Sequence, residues 1–129
     1  MPLYKALLIS WAGSDMEPIN IDELSDILGT SDPGIIRAVL DVWLSSCTDL
    51  TNAVSNAMAA QDRVSLRKAV HGLKGTSLQI GAKQLAMLCK RLEDELPDSD
   101  WTMISDLVDR IFVEVKHAQS FAKNFLSGA

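Results

Sequence analysis

Four long stretches of this chain repeat their apolar residues at alternating steps of three and four, and no stretch sustains the alternate-residue pattern of a strand. That spacing restricts the fold to packed helices. After Ser31-Asp32-Pro33, a capping residue followed by a first-turn proline, the residues Ile36, Leu40, Trp43, Cys47, Leu50, Val54 and Met58 predict one long amphipathic helix. Asp62 is expected to open the next, with Leu66, Ala69, Val70, Leu73, Thr76 and Ile80 inward and Gly81 as the stop. Leu85, Leu88, Cys89, Leu92 and Leu96 mark a third, closed by Pro97. A fourth, starting near Ser99 or Asp100, carries Ile104, Val108, Ile111, Val115, Ala118, Ala122 and Phe125 close to heptad spacing. Long helices on short connections pack antiparallel, so the expected class is all-α, an up-and-down four-helix bundle. A short helix capped by Asp22 and stopped by Gly29, with Ile21, Leu24, Ile27 and Leu28 on one side, is expected as a lid over one end. Residues 1–18 then form an N-terminal extension, either an extra packing helix or a flexible tail, and residues 19–129 form the bundle.

A chain of 129 residues with 47% hydrophobic content can bury one continuous core without disulfides or metals. The formal charge of -5 disfavours broad binding to the phosphate backbone of nucleic acid. Cys47 and Cys89 sit among apolar residues at helical spacing, not in a metal-ligand cluster, and are expected as buried reduced thiols. The apolar run Leu3 to Ala12 contains Lys5 and is far shorter than the roughly 20 residues of a membrane span. It also lacks a clear small-x-small cleavage site, so a cytoplasmic protein without membrane insertion is expected. A monomer is expected, because the four stripes can bury one another.

At about 100° per residue, His71 points away from the core, with Leu73 and Ile80 roughly opposite it. Arg67 and Lys74 flank the ring one turn before and after, and Gly72 and Gly75 leave bare backbone beside it. Each glycine inside a helix costs about 1 kcal/mol relative to alanine, so something must compensate. Access to the imidazole by another macromolecule would do so; for Gly75 the packing alternative is close approach of a neighbouring helix. Neutral imidazole is a good nucleophile near neutral pH. A phosphoryl group carried on it would add negative charge, which Lys74 is placed to stabilise, unless that lysine is merely solvated. Arg67 and Lys68 read either as a positive rim steering an acidic partner or as ordinary surface charge. Leu78 lies on the same outward face, where it suits a small apolar partner patch or a contact with the short N-terminal helix. Gln79 reads as a partner contact or a solvated side chain.

His71-Gly72-Leu73-Lys74-Gly75-Thr76-Ser77 followed by Ile80-Gly81-Ala82 resembles the signature H-x-L-K-G-x-S-x-x-[aliphatic]-G-A of histidine-containing phosphotransfer (HPt) domains. Leu85, Cys89, Leu92 and Glu93 are similar to the L-x-x-x-C-x-x-L-E pattern on that family's next helix, and the resemblance extends from about Ile19 to the C-terminus. It implies that the Nε2 atom of His71 takes a phosphoryl group from a receiver-domain aspartate and that a second receiver aspartate later removes it. The receivers, belonging to response regulators or to a hybrid sensor histidine kinase, would supply Mg²⁺, leaving this chain without a cofactor of its own. Lys74 would match the phosphate-stabilising lysine, Gly75 the small residue that leaves the ring open, and Glu93 the polar residue facing the histidine. Glutamine stands there in some relatives; a glutamate repels phosphate unless it bonds the ring nitrogen or pairs with a lysine. Such a chain is a phosphocarrier, not a stand-alone enzyme. Whether it is free-standing or part of a hybrid kinase is left open by the resemblance.

Three other readings compete. A histidine kinase dimerisation domain would carry H-E-x-x-[ST]-P, which is missing, and no G-x-x-x-x-G-K-[ST] loop is present, so no ATP-dependent kinase activity is expected. A metal-binding bundle needs Glu-x-x-His pairs on two helices, and Glu114-x-x-His117 has no second such pair to accompany it. A non-catalytic adaptor bundle that binds a signalling partner is compatible with periodicity alone.

Overall fold

The computed structural model describes residues 17–127, and every regular element among them is an α-helix. In chain order these are α1 (Ile21–Leu28), α2 (Pro33–Ala60), α3 (Arg63–Gln79), α4 (Lys83–Glu95) and α5 (Trp101–Leu126). The extra helix or tail expected at the N-terminus falls, up to Met16, outside the described residues.

The helices start where a side chain satisfies the first free N–H groups. Asp32, Asp62 and Asp100 accept from the backbone N–H of Gly34, Ser65 and Met103 at 3.4, 3.1 and 2.9 Å. Each such cap contributes about 1 kcal/mol. The cap of α1 corrects the sequence expectation: Asn20, in extended conformation, accepts from Glu23 N–H at 3.1 Å. Asp22 lies inside the first turn, where its charge complements the helix dipole without capping.

Helices α2 to α5 form the four-helix bundle: α2 packs on α3, α3 on α4, α4 on α5, and α5 returns to α2. The connections between them are short, so neighbours run antiparallel. The expected stripes meet in one core that includes Leu40, Trp43, Cys47, Val54, Leu66, Leu73, Leu85, Cys89, Leu92, Ile104 and Ile111. Both cysteines are free and buried, and burial pushes the Cys47 thiol up to about 11 and that of Cys89 to about 12.

Two inward assignments change. On α3 the inward hydroxyl residue is the fully buried Ser77, not Thr76, because Ser77 lies four residues beyond Leu73 on the same stripe. Its hydroxyl donates to the Leu73 carbonyl at 2.6 Å, which removes the cost of burying it. On α1, Leu24 is buried but Ile27 is half exposed, leaving a narrower apolar side than expected.

Helix α1 is fixed to the α3–α4 turn as a cap on that end. Asn20 N–H donates to the Gly81 carbonyl at 3.0 Å, Ile19 is fully buried, and Lys83 pairs with Glu23 at 3.2 Å. Gly81 has φ +76°, and a β-carbon there would lie 2.7 Å from the Asn20 carbonyl oxygen, so the turn requires glycine. At the opposite end Arg63, the first residue of α3, donates to the carbonyls of Leu96 and, at 2.8 Å, Ser99. The same guanidinium lies 4.9 Å from the ring centre of Trp101, the first residue of α5. This arginine closes the α4–α5 connection by hydrogen bonds and a cation–π contact.

Candidate functional site

The middle of α3 presents His71 outward, with its side chain 69% exposed. The packed face of the helix, held by Leu66, Val70, Leu73 and Ser77, dictates this orientation. Glu93 reaches the ring from α4 with its side chain only 10% exposed; its Oε2 lies 3.1 Å from His71 Nδ1 and its Oε1 2.9 Å from Lys74 Nζ. One carboxylate therefore holds both groups. Burial alone would raise its pKa, but the hydrogen bonds from Lys74 and then His71, reinforced by their charges, leave the carboxyl below its ordinary value. An ionised carboxylate only accepts, so Nδ1 carries the ring proton in this pairing and the Nε2 lone pair faces outward. Among the described residues nothing bonds Nε2.

Lys74 is largely covered, with 24% of its side chain exposed, because it lies against Glu93 and not free in solvent. Arg67 and Lys68 are exposed and line, with Val64, His71 and Glu93, a shallow depression of about 390 Å³. Leu78 is 52% exposed, so α1 does not cover it. Gln79 is exposed but turns toward a groove between α2 and α3, beside Trp43, Thr76 and Ile80.

The two glycines separate. A β-carbon on Gly75 would meet nothing within 4 Å, which excludes the helix-packing explanation and leaves open space on the histidine face. One on Gly72 would lie 3.0 Å from Leu50 Cδ2 of α2. Packing against α2 thus accounts for Gly72, a correction to the expectation that its bare backbone serves access to the ring.

Sequence reasoning passed over Val64 and Arg63. Val64 is 67% exposed and stands seven residues before His71, as Leu78 stands seven after. Seven residues make almost two full helical turns, so the three align along one face at about 10 Å intervals. The helical wheel that placed Leu78 places Val64 equally. The role of Arg63 depends on carbonyls more than thirty positions away and leaves no local signal.

The fold has counterparts. The Hpt domain profile matches residues 38–118 of this chain, which is more than half of it. The crystal structure of the HPT domain from a sensor hybrid histidine kinase of Shewanella superposes with a TM-score of 0.76 at 18% identity, covering 88% of this chain and 97% of that one. At that identity the likeness establishes a shared fold. No curated protein matches the sequence. With the signature run on α3, the family match across the bundle and the common fold, the chain belongs to the Hpt domain family, whose members serve in phosphorelays.

Proposed function

We propose that this chain is a phosphocarrier of a multistep phosphorelay that accepts a phosphoryl group on Nε2 of His71 from a receiver aspartate and passes it to another. The observation that carries the reading is the exposed imidazole with Nδ1 engaged by Glu93 and Nε2 directed outward. Neutral imidazole in this tautomer is the nucleophile, and the receiver brings Mg²⁺ and the acidic pocket that activates its own acyl phosphate. Lys74 is one turn from the ring and can follow the phosphoryl charge by a change of rotamer. Gly75 leaves room for the receiver.

Val64 and Leu78 on either side of His71 form the apolar part of the receiver-binding face, and Arg67 and Lys68 its positive rim. The working unit is residues 19–129, with 1–18 as an extension, acting as a monomer in the cytoplasm. Among the described residues no helix is long and apolar enough to cross a membrane.

The test is transfer from a Mg²⁺-loaded phosphorylated receiver to the wild-type chain and to His71→Gln. Acid-labile, alkali-stable label on the wild type alone is the expected result. Equal labelling of both proteins, or of neither by several receivers, would remove the chemical basis of the reading.

A further inference from the structure

We propose that the N-terminal segment of residues 3–12 lies in the groove between α2 and α3 and straps the two helices together on a flank that leaves His71 open. The surface is separate from the histidine site, and its occupation stands whether or not His71 carries a phosphoryl group.

The groove opens at the end of the bundle that α1 caps. Val39, Val42 and Trp43 of α2 form one wall, and Thr76 and Gln79 of α3 with Ile80 just beyond it form the other, around a volume of about 310 Å³. Helix α2 carries two apolar stripes here. Ile36, Leu40, Trp43 and Cys47 face the core, whereas Ile35, Val39 and Val42, spaced by four and three, run beside them along the groove. Val42 is 66% exposed and Ile35 45%. A second stripe beside a filled core is apolar surface left for another element to cover.

The occupant follows from where the chain enters. Asn20 N–H donates to the Gly81 carbonyl at 3.0 Å and Ile19 is fully buried, so the chain comes into the described structure one residue away from Ile80, in the groove wall. The sixteen residues before Glu17 lie outside the described structure, and they hold the apolar run. In that run Leu3, Tyr4, Leu7, Leu8 and Trp11 recur at steps of one and three, the spacing of one side of a helix, with Lys5 off that side. As a helix, residues 3–12 measure about 15 Å, against about 16 Å along α2 from Ile35 to Ser46. Gly13-Ser14-Asp15 and Met16 join the run to the cap; the first three favour a turn, and the four reach about 13 Å when extended. A tether this short gives a local concentration of order millimolar, well above that of a second copy or a separate partner at ordinary protein concentrations. Charge agrees with the match: Asp49 is exposed seven residues beyond Val42 on the same face, and Lys5 is the one basic side chain among the first sixteen residues.

On α3 the groove residues Gln79, Thr76 and Ile80 stand about 80°, 140° and 180° around the axis from His71, whereas Val64 and Leu78 stand within about 20° of it. The segment therefore passes beside the histidine face and does not cover it.

The experiment is thiol pairing in the full chain. Leu7→Cys is combined with Val42→Cys in one protein and, in another, with Val113→Cys on α5, where the valine is 54% exposed. Cys47 and Cys89 are buried and do not compete. In oxidised glutathione the intramolecular disulfide between positions 7 and 42 should form at least about tenfold faster than that between 7 and 113. Comparable rates, as for a segment that sweeps freely, would overturn the proposal. Dimers linked from position 7 of one copy to position 42 of another would also overturn it and assign the groove to a second copy. Leu7→Asp gives a reading without new thiols: the NMR signals of Val39, Val42 and Ile80 should shift while those of Val64 and Leu78 stay in place, and transfer from a phosphorylated receiver should be unchanged. Unmoved groove signals would overturn the docking, and altered transfer would overturn its placement away from His71. Label on neither wild type nor Leu7→Asp would count against the carrier reading alone, with the disulfide rates and the groove signals still deciding the docking.

Discussion

Replacing Gly75 by alanine should strengthen the fold and weaken the function. A β-carbon at 75 enters open space, so nothing opposes the gain in helix propensity, about 0.5–1 kcal/mol for an interior glycine. Unfolding entropy of about 2.1 cal/mol/K per residue over this chain gives roughly 0.27 kcal/mol/K, so the gain corresponds to a Tm higher by about 2–4 °C. Side chains on a helix lean toward its N-terminus, so the methyl tilts back toward the His71 ring one turn earlier. In-line transfer needs the reacting atoms about 3–3.5 Å apart, and a misplacement of about 1 Å can cost ~100-fold, so transfer should slow by about 10- to 100-fold. Thermal and urea unfolding followed by helical circular dichroism, with single-turnover phosphotransfer, measure the two effects. A destabilised Gly75→Ala chain would refute the placement of open space beside Gly75; undiminished transfer would refute the access argument. Gly72→Ala is the internal control: its methyl must displace Leu50, and it should be less stable than Gly75→Ala by about 1 kcal/mol or more.

Arg63→Ala loses bonds to two carbonyls and the Trp101 contact, and should destabilise the bundle by about 1.5–3 kcal/mol in urea unfolding. Lysine should restore little, since it lacks the planar fork; full rescue by Arg63→Lys would count against this role. For Glu93 the folded pKa is depressed despite burial, because Lys74 and His71 outweigh it, so its contribution to stability is fully present above the ordinary value of 4.5 and is lost as pH falls through the depressed one. Glu93→Gln should therefore show a flatter acid limb in stability against pH, and an unchanged limb would mean that the pairing does not favour folding.

The stripes on α2 to α5 and the caps at Asp32, Asp62 and Asp100 were legible because each depends on spacing within one helix. His71 could be placed outward for the same reason. The errors arose where the deciding partner lies elsewhere in the chain. Asn20 starts α1 two residues before Asp22 because its backbone is held by Gly81. Gly72 is small because of Leu50 on α2, and Arg63 works through the α4–α5 connection. Spacing alone does not separate Thr76 from Ser77, because the two adjacent hydroxyl residues near the stripe edge both bond the Leu73 carbonyl and only three-dimensional packing distinguishes them. The three-way contact among His71, Glu93 and Lys74 needed the register between α3 and α4, which periodicity does not fix.

The stacking of Arg63 on Trp101 sets the first residues of α3 and α5 level with each other. Counting about 1.5 Å per residue from that level puts His71 roughly 12 Å along the bundle and Leu126 roughly 37 Å along it. A receiver fused beyond α5 must therefore fold back about 25 Å to meet its histidine. A tether of fewer than about seven or eight fully extended residues cannot span that distance, and a Gly/Ser linker reaches it on average at about 20 residues. Linker length should act as a tunable control on self-transfer in such a fusion, with almost none below the first limit and the greatest local concentration near the second.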